Sequence, residues 1–272
     1  MFEIGKIPPE ILEKIVMKPM MGSKVKRDDV ILRPTTGEDC SAIDLGGEIC
    51  ILSTDPITGA AKDIGYLAVQ INCNDVYSSG AEPVGILLTV LLPPGSDEEL
   101  LEEIMEGSLR AAEERKIEIL GGHTEVTDAV TKPLISAAVI GKTRNRKILA
   151  TGGAKADQDV IMTKWAGTEG TAILAKEWEE GLRAYLSEEE LKNAQDMKNF
   201  LSVGEESLIA LAKRIASKVA KSGQYYKLEP MDASERKIIH TALQSDDRVT
   251  TLSKGEEPRR YLMVFPREYK ED

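Results

Sequence analysis

The stretch GEDCSAIDLGGEICILSTDPITG, residues 37–59, constrains the fold of this chain more than any other. Its apolar residues Ile43, Leu45, Ile49, Cys50, Ile51 and Leu52 are interrupted by Gly46-Gly47, and such runs around a Gly-Gly pair read as a β-hairpin. A hairpin folds its flanks back together, so Asp39 and Asp55 are expected near one another at one edge of a sheet. Carboxylates held together on rigid strands repel, and a cation relieves them. Mg²⁺ suits, because it takes one or two carboxylates and draws its remaining oxygens from water and substrate phosphates. The spacing is also open to a plainer reading, in which Asp39 is a turn residue and Asp55, followed by Pro56, begins a loop.

Around this stretch, strand and helix signals alternate. Pro8-Pro9-Glu10 opens a short helix reaching Val16, and Met17 to Arg27 reads as a basic, solvated connection. Strands are expected at 29–33, 41–45 and 48–54, then a helix from Ile64 to Ser79 whose apolar spacing implies one buried face. An apolar strand over 84–92 and a helix from Ser96 to Arg115, with acids in its first turn, follow. A strand over 117–120 leads directly into Gly121-Gly122-His123-Thr124-Glu125, and 133–141 supplies another. Mixed hairpins and helices of this kind imply an α+β fold, a sheet layered with helices on one face.

From about Asp157 a second segment begins, with a strand expected over 159–164, a helix over 167–176 and a charged helix from the Ser187/Glu190 capping pair to Phe200. Ser202-Val203-Gly204 interrupts the pattern. Beyond it an amphipathic helix over 205–221 ends at Gly223, followed by a strand at 225–229, a helix at 232–244 and strands at 248–252 and 260–265.

The charge balance divides the chain in the same place. Of 46 acidic and 35 basic residues, 12 acids and 13 bases lie in 203–272, so that stretch carries +1 and residues 1–202 carry −12 of the net −11. The chain as a whole is thus unsuited to non-specific adhesion to nucleic acid. Cys40, Cys50 and Cys73 form no CxxC or Cys/His cluster, which implies reduced thiols and a cytoplasmic setting. The N-terminus lacks the pattern of a signal peptide, and the longest apolar block, 84–92, is too short to span a bilayer, so no membrane association is expected.

Four motifs, GEDC (37–40), STDPITG (53–59), NCNDVYSSGAEP (72–83) and LGGHTEVTDAV (120–130), resemble in sequence and order the AIR synthase-related group. That ATP-using superfamily includes aminoimidazole ribonucleotide synthetase, thiamine-monophosphate kinase, selenophosphate synthetase and the hydrogenase maturation protein HypE. The resemblance implies that Asp39, Asp55 and Asp75 hold Mg²⁺ and ATP, with Thr124 approaching a phosphate. It also implies a homodimer formed by pairing N-terminal sheets. His123 is a catalytic candidate by location only, with a structural or ligand-orienting role the favoured alternative, and no catalytic base is assigned. VIMTKWAGTEGTAILA, 160–175, is similar to the start of the family's second domain, and that resemblance is lost from Ser202.

The segment EPMDASERKIIHTALQSDDRVTTLSKGEEPRRYLMVFP, 229–266, resembles the R-three-H domain at the C-terminus of Jag-type RNA-binding proteins. Its signature pair is Arg236 and His240, spaced to share a helix face. With Lys237, Lys254, Arg259 and Arg260 they are the expected contacts to single-stranded RNA or DNA. The expected organisation is therefore an AIR synthase-like domain over 1–150, a truncated second domain over 151–201, and a small α+β Jag-type domain over 202–272. A nucleic-acid-binding protein on a nucleotide-binding, dimerising scaffold fits these observations. So do an ATP-dependent enzyme with an accessory tail, and a fusion of fragments without joint function.

Overall fold

The computed structural model describes residues 2–143, 147–156, 162 and 164–267. The chain divides into two units, Met1–Ser202 and Val203–Asp272.

In the first unit, β2 (Ser41–Asp44) and β3 (Ile49–Ile57) form the antiparallel hairpin, with Asp44 opposite Ile49 and Ser41 opposite Leu52. Gly46 takes a φ of +90°, which its missing Cβ allows without strain. The hairpin belongs to a sheet of order β1-β2-β3-β6-β4-β5, completed by β1 (Val30–Leu32), β4 (Ala81–Leu92), β5 (Glu118–Val126) and β6 (Leu134–Thr143). Among the described strands only β4 and β5 pair in parallel, and the helix Glu98–Arg115 supplies the long crossover that such a pair needs.

Two short helices, α1 (Pro9–Leu12) and α2 (Lys18–Met21), flank a π-helical turn at Glu13–Met17. The expected basic connection from Met17 is thus helical as far as Met21. The sheet's inner face is covered by α3 (Ile64–Ser78), and α4 (Glu98–Arg115) packs against α3. Because sheet and α4 lie on different sides of it, α3 buries Gly65, Tyr66, Val69 and Gln70 as well as the expected stripe. The one-faced expectation is corrected in this respect.

A further correction concerns Gly121-Gly122, which lie inside β5 rather than after it. The pairing shifts between Ile86 and Leu87, and a Cβ on Gly122 (φ +147°) would stand 1.8 Å from the Leu88 carbonyl oxygen. The glycine is required by this close approach of two backbones.

Residues 164–202 form α5 (Thr168–Glu177), α6 (Glu179–Leu182), α7 (Glu188–Asp196) and a 3-10 turn at Met197–Phe200. The Ser187/Glu190 capping box is present. Asp63 ties these helices to the sheet region: its carboxylate accepts from Lys198 Nζ at 2.7 Å and faces Lys176 Nζ at 3.9 Å. The strand expected over 159–164 lies almost entirely outside the described residues.

The second unit holds α8 (Gly204–Ser222), β7 (Tyr226–Pro230), α9 (Ala233–Leu243), β8 (Val249–Lys254) and β9 (Tyr261–Pro266). Its antiparallel sheet has the order β7-β9-β8. Ala212, Ile215 and Val219 of α8 and Ile239 and Leu243 of α9 share a core with Leu228, Val249, Leu262 and Val264. The fold is therefore mixed α+β, a large sheet followed by a small one. Among the described residues, no helix is long and apolar enough to cross a membrane.

Candidate functional site

The hairpin and the adjoining helix α3 assemble the acids of three motifs. Ser53, buried on β3, points its hydroxyl at the Asp39 carbonyl oxygen (3.0 Å) and at Asp75 Oδ2 (2.7 Å). One hydroxyl proton thus serves two acceptors. Asn72, fully buried on α3, clamps the backbone of Asp55: Asp55 N–H donates to Asn72 Oδ1 at 2.8 Å, and Asn72 Nδ2 donates to the Asp55 carbonyl at 3.2 Å. The same amide donates to the Ala68 carbonyl at 2.9 Å, which fixes its orientation. Side chains of the STDP and NCND motifs therefore hold the backbone of Asp39 and Asp55 and the carboxylate of Asp75.

The electrostatics show that these acids sense one another. Burial pushes the Asp75 carboxyl up to about 6; the Ser53 hydrogen bond opposes this, and the charges of Asp55 and Asp39 reinforce it. Asp55 is also raised, by burial first, with Lys6 lowering it and Asp39 raising it. Glu169 on α5 is raised by burial and by Asp55, again against Lys6. Lys6 and Glu169 thus belong to the neighbourhood although neither stands out in the sequence. Glu169 lies within the 160–175 motif, where its charge beside two glycines is the available signal. Nothing in the N-terminal sequence marks Lys6.

Among the described residues, no group of three or more His, Cys, Asp or Glu side chains is close enough to hold a metal ion by itself. The donor set is nonetheless all oxygen, which suits a hard cation completed by water and phosphate. Asp39 and Asp55 are exposed and Asp75 is half-buried, so incoming oxygens have room. A shallow cavity of about 170 Å³ adjoins them, lined by Glu38, Asp39, Cys40, Ser78 and Leu149–Thr151. The Cys40 thiol beside it is pushed up to about 12 by burial and by Asp75, so it stays protonated at neutral pH.

The structure does not bring Thr124 to this cluster within one chain. It lies exposed on β5, separated from β3 by β6 and β4, which is about 14 Å at ordinary strand spacing. His123 is also exposed on β5, with Nε2 3.0 Å from Glu125 Oε2.

In the second unit the six expected nucleic-acid contacts divide. Lys237, His240, Arg259 and Arg260 are exposed, and Lys254 is half-buried. Arg236 is buried, 7% exposed, and its guanidinium turns inward to the Met231 carbonyl (2.5 Å) and Glu257 Oε1 (2.6 Å). It therefore shares no exposed face with His240, whose Nδ1 lies 2.5 Å from Thr251 Oγ1. Glu257 sits in the β8–β9 connection that carries Arg259 and Arg260, so Arg236 anchors that loop.

Comparison with known proteins follows the same division. Residues 37–143 match the family model "AIR synthase related protein, N-terminal domain", and residues 206–266 match that of the R-three-H domain. A putative hydrogenase expression/formation protein of Methanocaldococcus jannaschii is 27% identical over 175 residues, 62% of this chain and 51% of its own. RNA-binding protein KhpB of Clostridium symbiosum is 46% identical over 69 residues, 25% of this chain and 31% of its own. The chain thus spans about half, or less, of the length of these relatives. Thiamine monophosphate kinase from Aquifex aeolicus shares the fold with a TM-score of 0.56 at 18% identity, covering 96% of this chain and 90% of that one. The chain therefore carries an AIR synthase-related N-terminal domain followed by an R-three-H domain.

Proposed function

We propose that the first unit binds Mg²⁺-ATP through Asp39, Asp55 and Asp75, and that the second binds single-stranded RNA or DNA. The observation that carries the first reading is the gathering of acids from three motifs by Ser53 and Asn72, with Asp75 raised to about 6. A half-buried acid raised by its own desolvation and by the charges of two neighbouring acids favours a cation, and phosphate chemistry depends mainly on neutralising charge and fixing position. When bound, the ion would supply charge neutralisation for the polyphosphate. The chain's own part is to fix the backbone of Asp39 and Asp55 and the carboxylate of Asp75, through Ser53 and Asn72, so that the three acids can serve that ion. Similarity to an AIR synthase-related domain supports this use of the acids.

For the second unit, the R-three-H match and similarity to KhpB, which is named for RNA binding, support nucleic-acid binding. Lys237, His240, Lys254, Arg259 and Arg260 are the proposed contacts, with Arg236 positioning their loop. Residues 151–201 are the proposed remnant of a second AIR synthase-like domain. A homodimer through the first unit is supported by the sheet face away from α3, where Val84 and Leu87 are exposed and Leu52 and Ile140 half-buried. Thr124 joins the nucleotide site only if such a dimer brings the β5 edge of one copy to the acids of the other.

Calorimetry with Mg²⁺-ATP tests the first reading. Saturable heat in the wild type that disappears in Asp55→Asn is expected; equal heat in both would overturn the assignment. Anisotropy with single-stranded RNA tests the second: Arg259→Ala with Arg260→Ala should weaken binding and flatten its salt dependence. Unchanged affinity at low salt would exclude these contacts.

A further inference from the structure

The strands of the second unit have two faces, and the helices account for one. Leu228, Val249, Leu262 and Val264 pack beneath α8 and α9. On the other face Lys227 stands opposite Met263, Met263 opposite Leu252, and Lys254 opposite Tyr261. Tyr225, just before β7, lies tilted against Phe265 with ring centroids 5.8 Å apart. Lys227 Nζ sits 4.2 Å from the centre of the Tyr261 ring, and Lys254 Nζ 5.8 Å from that of Phe265. Tyr225 is 56% exposed and Leu252 43%. None of Tyr225, Lys227, Leu252, Tyr261 or Met263 belongs to the helix-covered core.

We propose that this helix-free face is a stacking platform for single-stranded nucleic acid, distinct from the α9 helix that carries the signature pair. Bases would lie on Tyr225 and Tyr261, and Lys227 and Lys254 would follow the phosphates. The proposal rests on the reading of the second unit as a nucleic-acid binder and assigns it a surface. Aromatic residues are scarce here, two Trp, seven Tyr and three Phe in 272 residues, yet Tyr225 and Tyr261 stand on this one small face, with a buried Phe265 packed against Tyr225. Every base has a π-face, so rings interleaved with cations give sequence-tolerant binding.

The charges favour the same occupant. Within β7, β8 and β9 the charged residues are Lys227, Glu229 and Lys254, a cationic balance in a chain of net charge −11. A second copy of the chain would set lysine against lysine on this face, whereas a phosphate backbone is complementary to it. An ammonium already resting over Tyr261 is no obstacle. At an exposed site that contact is weaker than base stacking, and the displaced ammonium gains a phosphate.

The test is anisotropy of the full chain with a labelled oligouridylate at several salt concentrations. The Tyr225→Leu, Tyr261→Leu double variant should lose about tenfold or more in affinity with its salt slope unchanged. Lys227→Gln should instead reduce the slope by about 0.7. Tyr225 is exposed and Leu retains apolar bulk at Tyr261, and matching circular dichroism would confirm an intact fold. Wild-type binding left unaltered by the tyrosine changes would overturn the platform while leaving nucleic-acid binding in place. No wild-type binding would remove both. Self-association lost in Tyr225→Leu, with RNA affinity unchanged, would give the face to a second copy and refute the proposal.

Discussion

Replacing Asp75 by Asn should stabilise the first unit at alkaline pH while weakening its hold on a metal–nucleotide complex. In the folded chain burial raises the Asp75 carboxyl from the ordinary 3.8 to about 6. Below about pH 4 both folded and unfolded states hold the proton, and Asp and Asn are nearly equivalent. Between about 4 and about 6 the unfolded chain releases its proton first, so wild-type stability falls as pH rises. Above about 6 the whole penalty is present. A rise of that size corresponds to about 3 kcal/mol for a fully buried group, and partial solvent access reduces it to about 1–2 kcal/mol. The Asp75→Asn variant would escape this penalty, and its amide oxygen can still accept from Ser53. At pH 8 its unfolding temperature should therefore exceed wild type by several degrees, about 2–4 °C per kcal/mol for a chain of this size. The difference should vanish near pH 4. Mg²⁺ with a nucleotide should raise the wild-type transition and leave the variant's in place. A variant destabilised equally at both pH values would refute the reasoning, because it would make the carboxylate a net structural asset.

Two further substitutions probe positioning. Asn72→Leu removes the clamp on Asp55 and leaves part-buried backbone groups without that partner, which should cost about 1–2 kcal/mol in urea unfolding and weaken nucleotide binding as well. A change below about 0.5 kcal/mol would show the clamp to be incidental. Arg236→Ala should destabilise the second unit by about 1–3 kcal/mol, since it empties a buried site and releases Glu257. Glu257 is exposed and keeps its hydration, so Glu257→Gln should be milder; equal or larger loss in Glu257→Gln would contradict the anchoring role.

Much of the architecture is legible in the sequence because local signals agree with the global fold. The Gly-Gly hairpin, the capping boxes at Ser187 and Asp232, and the Gly223 cap all occur where turn and cap chemistry require them. The departures have long-range causes. Gly121-Gly122 reads locally as the end of a strand, but the nearness of Leu88, distant in sequence, is what demands glycine there. The extra buried faces of α3 depend on α4 lying over it, which periodicity along α3 cannot reveal. Arg236 is readable as part of an RxxxH pair, whereas its inward turn depends on Glu257, a residue 21 positions away. Lys6 is placed beside the acids by tertiary structure alone, and no local pattern announces that.

The most direct measurement is a crystal structure of the chain grown with Mn²⁺ and a non-hydrolysable ATP analogue, with anomalous scattering locating the metal. One ion bound by carboxylate oxygens from among Asp39, Asp55 and Asp75, with nucleotide phosphates completing its shell, is the predicted result. Manganese found elsewhere, with none of these three carboxylates in its shell, would contradict the account.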